Sequence, residues 1–219
     1  MSGPQGVKSG LFDVVRSQRA CRDFADRSVD DEDIARVLEA ATYAPSAENG
    51  QPWVFVVVRD DATRAQIHDL TLRAWQDGAR AGAAQRLDAS LLADVDHGIA
   101  GGGYRAAPVL VVVAADTERG FPSTVGSSIF PATQNLLLAA TALGLGSALT
   151  TITTAFAEEL RELLGLPVHV APQAVVPLGY PARPLGLSRR EPFAEHTHRD
   201  RFGNPWERLS SSDRDGGAA

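Results

Sequence analysis

The sequence predicts a globular protein of mixed class, in which buried β-strands alternate with amphipathic helices. Three observations carry that reading. Trp53 to Val58, Pro108 to Ala114 and Gln173 to Leu178 are short apolar runs rich in β-branched residues, the pattern of strands covered on both faces. Between them apolar residues recur at helical spacing, most clearly at Ile34, Val37, Leu38 and Ala41, and again at Ile129, Ala132, Leu136, Leu137, Ala140 and Leu143. At 219 residues and 44% hydrophobic, the chain is long enough to bury a substantial core as one domain with appendages.

The elements follow in order. After a flexible start over residues 1–8, Gly10 to Ser17 places Leu11, Val14 and Val15 on one helical face. Arg16, Arg19 and Arg22 come next at three-residue intervals. Such a row suits a solvated surface, or a clamp for a phosphate or an anionic ring, because guanidinium offers paired donors. Asp30 to Ala44 is a helix with an acidic first turn, ended by Pro45. The loop Ala44-Pro45-Ser46-Ala47-Glu48-Asn49-Gly50-Gln51-Pro52-Trp53 is stiffened by its prolines. Ser46, Asn49 and Gln51 are neutral hydrogen-bonding groups that fit a polar ring edge, although ordinary turn chemistry also explains them. The loop feeds Trp53 to Val58, which reads as a central strand.

From Asp60 to about Ala84 the pattern is helical, with Ile67, Leu70 and Ala74 on one side and Trp75 close by. Residues 83–103 lose strict periodicity and end in Gly101-Gly102-Gly103, a variable excursion that is either a surface insertion or a lid. The helix at Gly126 to Leu143 is apolar nearly all round and needs burial on several sides. Gly144-Leu145-Gly146 follows a helix rather than a strand and is no dinucleotide fingerprint. Ala148 to Thr153 reads as a short threonine-rich strand, and Thr154 as the cap of a helix running to Leu164. Pro177 places part of the Gln173 to Leu178 strand at an edge. Pro181 to Trp206 is rich in proline and charge and needs a surface to lie on, and residues 208–219 read as a disordered tail.

Composition removes several function classes. A net charge of −6 with scattered cations gives no footprint for nucleic acid or for an anionic membrane, and no apolar run is long enough to span a bilayer. Cys21 is the only cysteine, so no intrachain disulfide or four-thiolate zinc site can form, and the cytoplasm is the expected compartment. The hydrolase elbow, the phosphate-binding P-loop and the zinc-protease helix are all missing. His196 and His198 lack a third ligand at suitable spacing and Cys21 lacks a histidine partner, so no metal is assigned and the cysteine reads as packing.

Four segments, in order, resemble the flavin-dependent nitroreductase family from about Phe12 to Trp206. They are the arginine-rich stretch before Phe24; Ala44 to Trp53; Gln134-Asn135-Leu136-Leu137-Leu138-Ala139-Ala140 with Ala142-Leu143-Gly144-Leu145-Gly146; and Leu178-Gly179-Tyr180-Pro181 with basic residues after it. The resemblance implies an α+β fold with a central mixed sheet flanked by helices, in one domain over residues 9–207. It also implies an intertwined homodimer, wrapped by residues 181–207, with FMN at the dimer interface.

By that resemblance, Gln18, Arg19 and Ala20 would meet the FMN phosphate and ribityl chain, and Arg22 the pyrimidine side of the ring. Pro45, Ser46, Ala47, Asn49 and Gln51 would approach the ring from the other subunit, with Ser128 as a further partner-side contact. Leu149, Thr150 and Thr151 would cross the ring near N5, and Arg190, helped by Arg189, would reach the phosphate. The sequence departs from the family pattern at three places: Ala20 replaces a common serine, Gly101 to Tyr104 lacks an Asn and Lys that some members have, and Thr150 and Thr151 replace an acidic residue.

The function so implied is an FMN-dependent oxidoreductase, which passes hydride from NADH or NADPH through flavin N5 to a small organic acceptor such as a nitroaromatic or a quinone. The side chains would position and tune, with none assigned as a catalytic acid, base or nucleophile. Two other readings share the cofactor: an oxidase or dehydrogenase that desaturates a peptide or natural product, and a non-catalytic flavin-binding protein.

Overall fold

The computed structural model describes residues 10–206, so the flexible start expected over 1–8 and the tail expected over 208–219 lie outside the described residues. The chain divides into two compact units, one running through Leu187 and the other beginning at Ser188.

Four strands form the sheet of the first unit: β1 (Trp53–Val58), β2 (Val109–Asp116), β3 (Gly146–Ser147) and β4 (Val170–Gly179), in the order β1-β2-β4-β3. All three pairings are antiparallel, and the parallel element of the expected mixed sheet is confined, among the described residues, to an isolated bridge between Ala20 and Ser147. Seven α-helices accompany the strands: α1 (Leu11–Ser17), α2 (Asp31–Thr42), α3 (Asp61–Ala74), α4 (Arg80–Ala84), α5 (Ala89–Ile99), α6 (Val125–Ala142) and α7 (Ala157–Leu163). The α+β class is therefore as expected.

The alternation of side chains along β2 sorts these helices onto two faces. Val109, Val111, Val113 and Ala115 pack with Val37 and Ala41 of α2 and with Ile129, Leu136 and Ala140 of α6. Leu110 and Val112 point the other way, to Ile67 and Leu70 of α3 and Leu160 of α7. A strand covered on both faces has no polar side to show, which is why its sequence is a continuous apolar run. The same logic explains one expectation that fails. β1 is apolar on both faces but lies at the edge of the sheet, paired only with β2. Helix cover dictates side-chain polarity, whereas central or edge position is a matter of backbone partners, which the side chains do not report.

Three other segments differ from the sequence reading. Within the expected strand Ala148 to Thr153, only Thr150, through its bridge to Val175, behaves as a strand residue; the chain then turns into a 3-10 helix, Ile152–Phe156. Threonine hydroxyls supply the competing bonds: Thr150 Oγ1 accepts from the Ile152 amide at 3.3 Å, and Thr154 Oγ1 donates to the Thr151 carbonyl at 2.6 Å. Thr154 thus stabilises the 3-10 turn and does not cap α7, which begins after Phe156. Within the excursion at 83–103, α5 is a regular helix whose first turn is capped by Asp88, its carboxylate accepting from the Leu91 amide at 2.8 Å. Pro177 lies in a strand with neighbours on both sides, but between the Thr150–Val175 bridge and the β3 pairing that starts at Leu178, where no ladder bond is required of it.

After β4 the chain stays on the first unit: Pro181 bridges Phe24, and the Ala182 amide donates to the Asp23 carbonyl at 3.1 Å. The second unit, within its described residues, is a short 3-10 turn (Phe193–His196) followed by a reversal. The reversal is closed by Arg199 N–H to Asn204 O at 2.7 Å and Trp206 N–H to Thr197 O at 2.9 Å. The Trp206 ring takes the edge of Phe193 and the Arg199 guanidinium, 4.7 Å from its centroid.

Leu136 is fully buried where α6 meets the sheet. Replacing it with alanine leaves a cavity that the two-faced packing cannot close, at a cost of about 3 kcal/mol. Urea denaturation then shows a lower midpoint with an unchanged slope.

Candidate functional site

Two arrangements of polar groups stand out, and each follows from local chain geometry. The first is the loop after α2. Its tight path puts Glu48, Asn49 and Gln51 at φ of 54°, 55° and 48°, in the left-handed region, and a Cβ on Gly50 would lie 2.3 Å from the Arg119 carbonyl oxygen. Hydrogen bonds hold the strained path. The Ser46 hydroxyl accepts from the Gln51 amide at 3.1 Å, and the Asn49 amide donates to the Ser46 carbonyl at 3.1 Å. The Ala47 amide donates to the Ser128 hydroxyl of α6 at 3.2 Å. The structure therefore brings Ser46, Ala47, Asn49, Gln51 and Ser128 together, and leaves Pro45 and Asn49 exposed on the outer face of the loop.

The second arrangement is a cavity of about 170 Å³ lined by Arg19, Ala20, Arg22, Asp23, Asp94, His97 and the turn from Arg183 to Gly186. The stretch after α1 reaches it because its backbone is pinned on both sides. Gln18 ends α1 with its amide bonded to Val14 O, the Cys21 amide donates to Ser147 O of β3 at 2.9 Å, and Asp23 O holds Ala182. Arg19 and Arg22 from one segment and Arg183 from the other thereby face one space.

Arg22 is the most constrained of these groups. Its side chain is only 18% exposed, and its NH1 donates to Asp94 Oδ2 at 3.2 Å. Its Nε is buried without a hydrogen-bond partner. Gly98 and Gly103 make room for it: a Cβ on Gly98 would press on the Arg22 side chain at 3.0 Å, and one on Gly103 would lie 2.0 Å from the Arg22 carbonyl oxygen. Tyr104 lies beside the guanidinium. Burial raises the phenol above its ordinary pKa, and the Arg22 charge opposes that rise.

α5, which carries Asp94 and His97, is fixed by its Asp96. That carboxylate accepts from Trp75 Nε1 at 2.9 Å and from Arg80 at 2.8 and 2.9 Å, and the Arg80 bonds lead the interactions that hold it below the usual carboxylate range. Trp75 begins a π-helical turn, Trp75–Ala79, with Gly78 at φ 148°. The extra residue of that turn swings Trp75 and Arg80 to the same carboxylate.

The remaining expected site residues fall elsewhere. Leu149 and Thr151 are exposed after β3, while Thr150 lines a second cavity of about 20 Å³ with Ile67, His68, Thr71 and Tyr104, room for about one water. Half-buried His68 has its pKa lowered, first by desolvation. Arg190 belongs to the second unit, where its guanidinium donates to the Arg189 carbonyl at 2.7 Å. Sequence reasoning missed Asp23, Asp94, His97 and Arg183. Asp94 and His97 sit in the segment read as a variable excursion, where an Asp88 cap three residues before an apolar pair was the available helix signal.

The discarded chemistries find ordinary structural roles. Cys21 is buried, its thiol pKa raised by that burial, and its Sγ contacts the Asp23 carbonyl at 3.2 Å. His196 pairs with Glu191 at 2.9 Å whereas His198 packs on the Phe202 ring at 4.5 Å, so the two histidines serve different partners. Asp116, Glu118 and His169 bring ligand-type atoms within 4.8 Å of one another at the end of β2. The turn's own bonds gather them: Glu118 N–H to Asp116 Oδ1, and Thr117 N–H to His169 O.

Gly103→Ala tests the seat of Arg22. The added methyl meets a backbone oxygen rather than a flexible side chain, so the variant loses about 1–3 kcal/mol of stability by thermal or urea unfolding. An unchanged midpoint would contradict the seat.

Comparison with known proteins gives this geometry a family. A model of the nitroreductase family matches residues 15–180. An NADH dehydrogenase of Thermus thermophilus is 32% identical over 184 residues, covering 80% of this chain and 89% of its own. Among solved structures, a Desulfovibrio desulfuricans protein in complex with FMN has a TM-score of 0.67 at 27% identity, with 89% of this chain and 99% of that one covered. An iodotyrosine deiodinase bound to FMN and 3-iodo-L-tyrosine has a TM-score of 0.68 at 26% identity, over 84% and 96% of the two chains. The match spans most of the described chain, including the arginine stretch, the strained loop and α6, and the chain belongs to the nitroreductase family.

Proposed function

We propose that the chain holds FMN at the Arg19–Arg22 cavity and acts as an NAD(P)H-dependent oxidoreductase on a small organic acceptor of the nitroaromatic or quinone type. The observation that carries this reading is Arg22, a largely buried guanidinium with an unpartnered Nε beside a cavity that two further arginines line. A buried donor without an acceptor costs free energy, and a polar, anionic group seated there relieves it. The donor set fits FMN, whose phosphate is anionic and whose ring edge accepts hydrogen bonds.

Bound FMN supplies a two-electron relay between a reduced nicotinamide and the acceptor. The chain's part is to bind and tune. Arg22 supplies a fixed positive charge that favours an electron-rich bound ring, and Asp94 moderates that charge. Arg19 stands ready for the phosphate, while Gln18 and Ala20 contribute backbone beside it. None of these residues is assigned as an acid or base.

The same reading makes the working unit a homodimer. A cavity of about 170 Å³ is below the roughly 300–1,000 Å³ of ordinary ligand pockets, so one chain encloses only part of a flavin. Leu11, Phe12 and Val15 on α1 and Phe130 on α6 are exposed apolar groups, and the outer edge of β1 has no strand beside it among the described residues. In the dimer, Pro45 to Gln51, held by Ser128, faces the ring bound by the other copy, and Leu149 to Thr151 lies along it. Arg190 and the segment after Pro181 wrap the partner. No described helix is long and apolar enough to cross a membrane, and the proposed compartment is the cytoplasm.

Purified protein loaded with FMN tests this. Anaerobic NADH or NADPH bleaches the flavin, and light scattering gives twice the 23.2 kDa chain mass. A flavin reduced by dithionite but by neither nicotinamide would overturn the oxidoreductase reading, and a monomer would overturn the shared site.

A further inference from the structure

Arg22 meets Asp94 in a way that differs from three other arginine pairs joining separate segments. Arg73 grips Glu159 with bonds of 2.8 and 3.1 Å, Arg105 grips Asp61 with two bonds of 2.9 Å, and Arg80 meets both oxygens of Asp96. Such two-pronged pairs use the guanidinium fork to fasten one segment to another. Asp94 instead accepts a single bond, 3.2 Å from Arg22 NH1, and Arg22 Nε stays buried without a partner. Nor is Asp94 needed to anchor its own helix, since Asp96 already ties α5 to Trp75 and Arg80. What the contact does is hold a carboxylate against a guanidinium that still has a donor to give.

The other charges of the lining leave this pair dominant. Arg19 and Arg183 are exposed, and Asp23 lies 3.9 Å from His97, with both of those side chains at least four-tenths exposed. Water and salt screen such groups, whereas the field of Arg22, 18% exposed, is screened least, and Asp94 is the carboxylate that opposes it. A reduced flavin ring is richer in negative charge, which a fixed cation stabilises and a neighbouring carboxylate destabilises. Resting on the FMN reading, we propose that Asp94 sets the reduction potential of bound FMN, holding it lower than Arg22 alone would. The consequence falls on the choice of acceptor. A lower potential weakens the drive from nicotinamide to flavin and strengthens the drive from flavin to acceptor, so poorer oxidants come within reach.

Anaerobic redox titration of the FMN-loaded, full-length protein against dyes of known potential reads this directly. Asp94→Asn keeps the size of the side chain and removes its charge. At a fixed potential the ratio of reduced to oxidised flavin then rises about tenfold, an upward shift of about 30 mV for two electrons. Asp94→Glu, which keeps the charge, stays within about threefold of the parent, and unfolding curves show both variants folded. A rise of less than about threefold in Asp94→Asn, or a fall, overturns the proposal while leaving the FMN reading intact. An Asp94→Glu protein that shifts as far as Asp94→Asn overturns it too, because Asp94 would then act through fit and not through charge. A parent protein that binds no FMN overturns both the proposal and the FMN reading.

Discussion

The burial of one guanidinium organises much of the structure around the cavity. Taking Arg22 out of water is costly unless its donors are met, and Asp94, Tyr104 and the open cavity are the means at hand. Each brings a structural requirement. Asp94 must be delivered by a helix, α5, and that helix is tied down by Asp96 to Trp75 and Arg80 across a π-helical turn. Tyr104 must follow a turn that passes within van der Waals reach of the Arg22 backbone, and only glycine at 103 permits the approach. The segment from Trp75 to Tyr104, variable in appearance, is therefore built to the shape of one side chain.

The sheet supplies the other half of the support. β2 is buried on both faces and fixes where α2, α6, α3 and α7 stand, while β3 and the chain after β4 clamp residues 20–24 from either side. The charge of the site and its scaffold are thus separable: apolar alternation in β2 sets the frame, and three backbone bonds hang the arginine segment from it. The strained loop after α2 is attached by a different route, through Ser128 of α6. A stretch with three non-glycine residues in the left-handed region stores strain of order 1–3 kcal/mol per residue, which a mere connection would shed. Its exposed outer face is what the dimeric reading uses.

Much of this was legible in the sequence, and the gaps have physical causes. Helices α2 and α6 follow from apolar periodicity, and β2 and β4 from continuous apolar runs, because burial on one face or on both imposes each pattern directly. β1 was placed centrally because its polarity reports helix cover and not backbone neighbours. Ala148 to Thr153 was read as strand because threonine favours strands, and local hydroxyl bonds prevailed. Of Gln18, Arg19, Ala20 and Arg22, which the sequence groups together, the last three line one cavity and Gln18 does not, and of the loop residues Ala47 bonds to Ser128. Asp94, His97 and Arg183 were missed because each reaches the cavity by tertiary contact: two from a helix hidden in an irregular segment, one from a turn read only as basic. The one local mark, the Asp88 cap ahead of Leu91 and Leu92, signals the helix and not the cavity it reaches.

The central claim is that Arg22 and its cavity hold the flavin. Equilibrium FMN titration of the parent and of Arg22→Ala, with unfolding curves to confirm that both are folded, tests it most directly. The account predicts FMN binding by the parent at micromolar concentration or below, on the order expected for a pocketed cofactor, and a loss of at least about tenfold in the variant. A folded Arg22→Ala protein that binds FMN as tightly as the parent would contradict it.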